Sequence, residues 1–272
     1  SVHLHDYGEG RRLLLSRDVT MFEQAEAMRR DFVANVSHEI RTPLTVLSGF
    51  VETLQTLPLD ASERARYLDL MAQQAGRMQS LVSDLLMLSR LEGSPLPGAA
   101  EWSSLPVLMG QVEQEAQVLS AVLNPPMTGP AQALVFEPVP ARELAGTPSE
   151  LHSALSNLVS NAVRYTPAGG VVRCGCLLLE DGRMEFYVQD SGPGIAPEHI
   201  PRLTERFYRV DRSRSRDTGG TGLGLAIVKH VAQRHGAELR IDSTPGKGSR
   251  FAIVFPASRV RLAAQPAAMA AV

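Results

Sequence analysis

The sequence predicts an α-helical hairpin that pairs with a second copy into a dimeric four-helix bundle, followed by an α/β sandwich domain. Two long segments carry apolar residues at steps of three and four, the spacing of a core-facing helical stripe. Only Leu57-Pro58-Leu59 separates them, and two amphipathic helices joined by so short a loop form an antiparallel hairpin. After residue 101, helical runs are grouped with hairpin-connected strands, which is typical of a two-layer fold.

The first helix is predicted from Phe22 to about Leu57. Its apolar positions form one stripe, which consists of Met28, Phe32, Val36, Ile40, Leu44, Leu47, Val51 and Leu54. His38 is two residues from both Val36 and Ile40, so at about 100° per residue its imidazole lies nearly opposite the stripe. The sequence therefore predicts a histidine that faces water.

The residues that follow His38 give it an unusual setting. Glu39 comes directly after it, and Thr42 lies one helical turn further on, on the same face. Pro43 falls inside the helix, where it removes a backbone hydrogen bond and is expected to kink the chain. An isolated histidine is most simply a solvated surface residue. However, a proline that destabilises the helix beside this histidine indicates that the segment has a function.

The second helix is predicted to begin near Asp60 or Ser62, either of which is a suitable N-cap. Its apolar face is a heptad seam formed by Tyr67, Met71, Gln74, Met78, Leu81, Leu85 and Leu88. A hairpin cannot bury both stripes alone, so we expect a homodimer that closes a four-helix bundle. The same pattern also suits a purely structural coiled coil, because heptads report packing and not chemistry.

Composition argues against several classes of function. The chain has 272 residues, a formal net charge of −2 at pH 7 and a sequence pI near 6.4, which argues against nucleic-acid or membrane-surface binding. No stretch approaches the roughly 20 apolar residues that span a bilayer, and the N-terminus lacks a signal-peptide pattern, so we expect a soluble chain. Cys174 and Cys176 share one face of a predicted strand, and we expect a buried, reduced pair without metal.

We divide the chain into a truncated upstream end, the hairpin, a hinge, the sandwich and a disordered tail, which are residues 1–21, 22–92, 93–101, 102–257 and 258–272. The upstream end holds one short apolar run, which predicts a single edge strand. The hinge is predicted because the stretch from Leu91 to Glu101 is rich in Pro, Gly and Ala. The tail is Ala-rich and lies at a chain end.

The sandwich is predicted to combine three helices with two pairs of strands and one separate strand. The helices are expected at 105–123, 148–164 and 221–235, and the strands at 133–137, 171–179, 184–190, 238–242 and 250–255. The second and third strands are joined by Glu180-Asp181-Gly182, which predicts a hairpin.

The first candidate ligand-binding motif of the sandwich lies on its middle helix. Asn157, Asn161 and Arg164 recur there at steps of four and three, on one helical face. Amide oxygens are hard ligands that suit Mg²⁺ bound together with phosphates. Buried amides can also serve only to cap neighbouring polar groups, so this string alone leaves both interpretations open.

The other strings are rich in glycine and arginine. Asp190 ends a strand and can accept a hydrogen bond from an amine, while Gly192 and Gly194 permit close approach of a ligand. Residues 219–230 place glycines directly before a helix, where free amides favour phosphate, although neither the Walker nor the dinucleotide pattern fits. Residues 201–218 carry six arginines, which is typical either of a mobile loop that binds anions or of a charged loop that is only solvated.

Two sets of motifs resemble one known family. The string FVANVSHEIRTPLT resembles the H-box of sensor histidine kinases, in which the histidine accepts phosphate, and this implies that role for His38. The sandwich strings, taken in order with Gly246-Lys-Gly-Ser249, resemble the N, G1, F, G2 and G3 boxes of the ATP-binding domain of these kinases. That domain has the GHKL (Bergerat) fold, shared with DNA gyrase B and MutL. Within the family, the chain looks most like the phosphate-regulon sensor kinases.

The resemblance implies ATP and Mg²⁺ as cofactors and a role for each motif residue. Asn161 would hold Mg²⁺, and Asp190 would accept a hydrogen bond from the adenine amine. Thr42 would orient a water for the phosphatase reaction, in which the response regulator is dephosphorylated. Glu39 would accept a hydrogen bond or a proton from His38. The implied nucleotide-binding residues are Asn157, Asn161, Arg164, Tyr165, Asp190, Gly192, Gly194, Ile195, Arg209, Gly220, Thr221, Gly222, Leu223 and Gly224.

The resemblance also implies partners and a cellular setting. We expect a homodimer that passes phosphate to an aspartate of a response-regulator receiver domain, with no role for nucleic acid. The chain would be the cytoplasmic portion of an inner-membrane protein, with its PAS-like and membrane sensor segment missing upstream. Two rival functions are a dimeric scaffold with a degenerate nucleotide pocket and a gyrase-like ATPase that uses Glu150 as its catalytic acid.

Overall fold

The computed structural model describes residues 2–6, 12–16, 18–125, 129–210 and 220–263. The chain forms two compact units, Ser1–Met78 and Gln79–Val272, and the boundary between them falls inside a long helix. Within the described part of the chain, no helix is both long and apolar enough to cross a bilayer.

The first unit begins with a strand pair and continues into long helices. Strands β1 (Val2–Asp6) and β2 (Arg12–Ser16) pair in antiparallel fashion, so the upstream end holds two strands and the prediction of one was wrong. Helix α1 (Thr20–Thr56) begins two residues earlier than predicted and contains Pro43, which is buried.

Helix α2 (Ala61–Gly93) follows after a short break, as the pattern predicted. Asp60 and Glu63 cap its start reciprocally, because the Glu63 amide donates to Asp60 Oδ1 at 2.8 Å and the Asp60 amide donates to Glu63 Oε2 at 3.1 Å. The rings of Phe50 and Tyr67 meet with centroids 5.5 Å apart, which packs α1 against α2 within the first unit.

The second unit contains the predicted α/β sandwich, together with the end of α2. Its helices are α3 (Leu105–Leu123), α4 (Pro148–Tyr165) and α5 (Gly224–Arg234). Its strands are β3 (Trp102–Ser104), β4 (Ala133–Phe136), β5 (Arg142–Ala145), β6 (Val171–Leu178), β7 (Met184–Asp190), β8 (Glu238–Thr244), β9 (Gly248–Phe255) and β10 (Val260–Leu262). Short 3₁₀ turns lie at Ile200–Arg202 and Ala257–Arg259.

The strands form two sheets. The larger has the order β4-β6-β7-β9-β8, and it is antiparallel except for the parallel pair β4 and β6. Helix α4 contacts β6 and β7 while α5 contacts β8, so one layer of helices covers the sheet. The carboxyl end of β7 thereby comes close to the end of α4 and the start of α5.

A second, three-stranded sheet was not predicted. It has the order β10-β5-β3, and Val260 pairs with Leu144 in it. The expectation that residues 258–272 are disordered was therefore wrong for residues 258–263, while residues 264–272 lie outside the described part of the chain. Helix α5 also begins at Gly224 rather than at Thr221.

The predicted hinge has extensive contacts in this structure. Helix α2 continues to Gly93, and the guanidinium groups of Arg234 and Arg259 bind backbone carbonyls of the hinge region. The carbonyls bound in this way are those of Leu91, Ser94, Pro95, Pro97 and Gly98. Motion about residues 93–101 stays a prediction, and it would have to break these hydrogen bonds.

The two cysteines lie in the core of the larger sheet. Both Cys174 and Cys176 are buried and unbridged, as predicted. Burial raises the pKa of each thiol to about 12, so neither forms a reactive thiolate near neutral pH.

Candidate functional site

The histidine predicted to accept phosphate lies exposed on α1. The hydroxyl of Thr42 donates to the His38 carbonyl oxygen at 3.1 Å, which places the threonine one turn from the imidazole on the same side of the helix. The Glu39 carboxylate is half-buried and pairs with Arg77 of α2, at 3.3 Å between Oε2 and Nη2. Helical spacing thus brings His38, Glu39 and Thr42 together within the first unit.

A cleft of about 480 Å³ opens in the second unit, where the ends of α4 and β7 meet the start of α5. Twelve of the fourteen predicted nucleotide-binding residues line it. They are Asn157, Asn161, Arg164, Tyr165, Asp190, Gly194, Ile195, Arg209, Gly220, Thr221, Gly222 and Gly224. Residues far apart in the sequence are therefore gathered around one cavity.

Helix α4 supplies the amide side chains of the cleft. The Asn157 Nδ2 group donates to the Ser153 carbonyl oxygen of its own helix at 2.8 Å, which leaves Oδ1 directed towards α5. A Cβ added to Gly224 would lie only 2.5 Å from that oxygen, so glycine is needed for α4 and α5 to approach each other. Asn161 follows one turn later and lines the cavity. The capping interpretation thus holds for the amide nitrogen of Asn157.

Asp190 is the buried acid of the cleft. It is only 8% exposed, and its Oδ1 accepts a hydrogen bond from the Gly192 amide at 2.8 Å. Burial raises the pKa of Asp190, while the backbone amides of Gly192 and Ser249 act in the opposite direction. A carboxylate of this kind has unused acceptor positions that can face a ligand amine.

The glycines beside Asp190 are required by the backbone. A Cβ on Gly192 would lie 2.8 Å from both Asp190 Oδ1 and the Tyr165 carbonyl oxygen. Gly194 has φ of +68°, and a Cβ there would lie 2.0 Å from the Thr244 carbonyl oxygen. Gly192 does not line the cleft, and its close neighbours show that the turn after β7 needs glycine at this position. Its contact with a ligand stays a prediction.

The loop before α5 closes another side of the cavity. Phe207 adopts a positive φ of 63° and donates its amide to the Gly222 carbonyl oxygen at 2.8 Å, and Arg209 hydrogen-bonds the Gly220 carbonyl oxygen. Leu223 was predicted to bind nucleotide, but its side chain is fully buried in the core and does not line the cleft. Arg212, Arg214 and Arg216 of the predicted arginine-rich loop lie outside the described residues.

Several lining residues were not predicted, although most of them lie within or between the residues of the predicted motifs. The most important is Asp84 of α2, whose Oδ2 accepts a hydrogen bond from the Thr221 hydroxyl at 2.6 Å. Tyr208 also lines the cleft, held by His199 at 2.7 Å between Nδ1 and the phenol oxygen. The other missed residues are Ser80, Ser160, Ala162, Pro193, Leu203, Val210, Leu225, Ser249 and Phe251. Tyr208 lies within the arginine-rich segment 201–218, whereas nothing in the sequence pointed to Asp84.

Both halves of the chain match known family models. Residues 28–94 match the His Kinase A (phospho-acceptor) domain. Residues 146–259 match the family described as histidine kinase-, DNA gyrase B- and HSP90-like ATPase. The first match contains His38, and the second contains the predicted nucleotide-binding residues.

Similar proteins span both matched regions. The chain is 50% identical over 259 residues to the phosphate regulon sensor protein PhoR of Pseudomonas aeruginosa, covering 95% of this chain and 57% of that protein. It is 34% identical over 255 residues to PhoR of Haemophilus influenzae, covering 94% of this chain and 58% of that protein. A crystal structure of full-length ShkA in complex with AMPPNP matches at 30% identity with a TM-score of 0.57, covering 87% of this chain and 47% of that one. The chain thus spans little more than half the length of these curated relatives.

Proposed function

Because this chain belongs to the sensor histidine kinases, we propose that it transfers the γ-phosphate of ATP to His38 and then to an aspartate of a response-regulator receiver domain. The observation that carries the proposal is an exposed histidine within the phospho-acceptor match, in one chain with a cleft that gathers the predicted nucleotide-binding residues. Phosphoryl transfer needs little covalent help from protein groups and depends mainly on positioning and charge neutralisation.

The cleft suits an adenine nucleotide in both chemistry and size. Asp190 would accept a hydrogen bond from the adenine amine, because its carboxylate is buried beside the cavity and held by the Gly192 amide. Arg164 and the amides around Gly220 to Gly224 would contact the phosphates, since α5 begins there and its first amides have no partner within the helix. A cavity of about 480 Å³ lies within the usual range of small-ligand sites.

The same cleft suits Mg²⁺ bound through the nucleotide. Among the described residues, no group of three or more His, Cys, Asp or Glu side chains could form a metal site. Asn161 lines the cavity and offers a hard amide oxygen, the type of ligand that suits a Mg²⁺ ion held largely by phosphates and water. When bound, the ion would neutralise charge on the transferring phosphoryl group.

At the acceptor, Glu39 would hydrogen-bond one imidazole nitrogen of His38 so that the other nitrogen attacks the γ-phosphorus. The bond from phosphorus to the attacking nitrogen forms as the bond to the leaving ADP oxygen breaks, and the imidazole proton passes to Glu39 or to solvent. Arg77 pairs with Glu39 at 3.3 Å and would fix the orientation of the carboxylate. Glu39, paired with Arg77 in this way, would orient the imidazole of His38.

Incubation with γ-labelled ATP and Mg²⁺ tests the transfer. Wild-type chain should take up label in an acid-labile, base-stable form, and His38→Gln should take up none. His152→Gln is the matched control, because His152 is a partly exposed histidine of the second unit and should leave labelling unchanged. Label that persists in His38→Gln at wild-type level would contradict the assignment of the acceptor.

The reverse reaction gives a separate prediction for Thr42. Thr42→Ala should leave labelling of His38 within about twofold, but slow dephosphorylation of a phosphorylated receiver domain about tenfold or more, because a positioned water is lost. Thr45→Ala is the control, since the Thr45 hydroxyl makes the same kind of bond to the Arg41 carbonyl oxygen at 3.0 Å. Equal dephosphorylation by the two variants would exclude a role for Thr42.

The proposal includes a homodimer and a setting in phosphate-starvation signalling. Leu44 and Val51 of the predicted stripe are 46% and 38% exposed in the single chain, which supports burial by a second copy. The relatives named phosphate regulon sensor proteins support the signalling role. The resemblance to sensor kinases is the basis for proposing that this chain is the cytoplasmic portion of an inner-membrane sensor.

The two rival functions have less support. A scaffold with a degenerate pocket predicts disrupted nucleotide motifs, whereas twelve predicted residues line one cleft. A gyrase-like ATPase would need Glu150 as a catalytic acid in the cavity. Glu150 does not line the cleft, and both of its carboxylate oxygens are bound by Arg234 at 3.0 Å.

A further inference from the structure

The carboxylate of Asp84 lies among the groups expected to bind phosphate. It comes from α2, 137 residues away in sequence from Thr221, and it lines the same cleft. Its Oδ2 lies 2.6 Å from the Thr221 hydroxyl oxygen, the length of a strong hydrogen bond to a charged acceptor. Asp84 is thus hydrogen-bonded to Thr221 of the segment 220–224 at the start of α5, which we call the glycine-rich loop.

The contact uses the donor that a phosphate would need. A threonine hydroxyl has a single hydrogen to donate, and the Thr221 oxygen already accepts the Leu223 amide at 3.2 Å. While Asp84 accepts that hydrogen, Thr221 has none to offer to a nucleotide. The carboxylate therefore occupies a position in the hydrogen-bond network that a phosphate oxygen could take.

The charges around Asp84 show the same competition. Burial raises the pKa of Asp84, while the Thr221 hydroxyl and the positive charge of Arg164 act in the opposite direction. Arg164 is in turn influenced by the negative charge of Asp84, and both residues line the cleft. Asp84 is partly buried, and a carboxylate removed in part from water is stabilised by such partners, which are the cationic and hydroxyl groups that also suit a phosphate.

We propose that Asp84 is an internal competitor of the nucleotide phosphates, because it accepts the hydrogen of Thr221 and its negative charge attracts Arg164, and that a bound nucleoside triphosphate displaces it. This inference rests on the proposed function, because it assumes that the cleft takes ATP. Coupling between two binding events is reciprocal, so the bound triphosphate weakens the contact of α2 with the glycine-rich loop by the same factor by which Asp84 weakens ATP binding. Nucleotide occupancy then controls how firmly residues 79–93 are held to the ATP-binding fold.

The test compares Asp84→Asn with wild-type chain by calorimetric titration with ATP and with adenosine, each with and without Mg²⁺. Asparagine keeps the size of the side chain and can still accept from Thr221, but it carries no charge to repel phosphate. We expect ATP to bind about tenfold more tightly to the variant, because one like charge is removed from beside the phosphates. Adenosine, which has no phosphate, should bind within about twofold of wild type.

Asp69→Asn is the control, since Asp69 is an exposed acid on the same helix. A thermal melt of each variant checks that the fold is retained. ATP affinity that is unchanged or weaker in Asp84→Asn, or that tightens equally for ATP and adenosine, would overturn the competition. Failure of the wild-type chain to bind ATP at all would instead overturn the proposed function.

Discussion

Arg234→Ala should lower the free energy of unfolding of the second unit by about 3–5 kcal/mol, the usual cost of removing one partner from a buried ion pair. Arg234 is only 9% exposed and binds Glu150 through two hydrogen bonds of 3.0 Å. It also binds three carbonyl oxygens of the predicted hinge region, those of Leu91 at 2.8 Å, Ser94 at 2.9 Å and Pro95 at 2.8 Å. Alanine would leave a buried carboxylate and three carbonyls without this donor.

Chemical denaturation monitored by circular dichroism measures the effect. Arg240→Ala is the matched control, because Arg240 pairs with Glu238 at 2.7 Å on the exposed surface, where such pairs contribute about 0–1 kcal/mol. Hydrogen exchange of the amides of Ser94, Leu96 and Gly98 should also accelerate in Arg234→Ala, because this segment loses its hydrogen bonds to the guanidinium group. A loss of stability no larger than that of Arg240→Ala would show that the Arg234 contacts do not stabilise the predicted hinge region.

Asp190→Asn should weaken ATP binding about 100-fold or more while leaving the fold intact. The proposed contact is a hydrogen bond from the adenine amine to a charged, buried acceptor, and an amide nitrogen turned towards that amine would place two donors together. Titration with ATP measures the loss. Asp242→Asn on β8 is the control, because its side chain is exposed and does not line the cleft.

Although Asp190→Asn should bind ATP more weakly, its folded state should be as stable as that of the wild type or more stable. Burial holds the folded-state pKa of Asp190 above its ordinary value of 3.8, so folding takes up a proton between those two values. The contribution of this group to stability therefore falls as pH rises from 3.8 through the raised pKa. Asparagine lacks this penalty, so at neutral pH the variant should melt at the same temperature as wild type or higher. A variant that binds ATP normally, or that loses binding only by unfolding, would contradict the assignment.

The parts of the fold that local patterns determine were predicted well from sequence. Helices α1 and α2 follow from apolar spacing, and Asp60, one of the two predicted N-caps, caps the start of α2. The small sheet could not be predicted in the same way. Its strands have three or four residues, and the pairing of Val260 with Leu144 joins segments more than 100 residues apart.

The residues of the candidate site also differ in how well the sequence predicts them. Motifs located the residues of α4, β7 and the glycine-rich loop, because each string has a local signature. Asp84 has no such signature, since an acid on a helical surface is ordinary until tertiary structure brings it to Thr221. The side chain of Leu223 is buried in the core, which the motif could not show, and contact of its backbone with a nucleotide stays a prediction. Composition suggested a hinge at 93–101, but it could not reveal the contacts made by Arg234.

Mapping of the phosphorylated residue by mass spectrometry at neutral to alkaline pH, after incubation with ATP and Mg²⁺, tests the central claim most directly. A kinase that uses His38 as its acceptor should yield one phosphorylated peptide, with the phosphate on the imidazole of His38. Phosphate on another residue, or steady formation of ADP with no phosphorylated peptide, would contradict it.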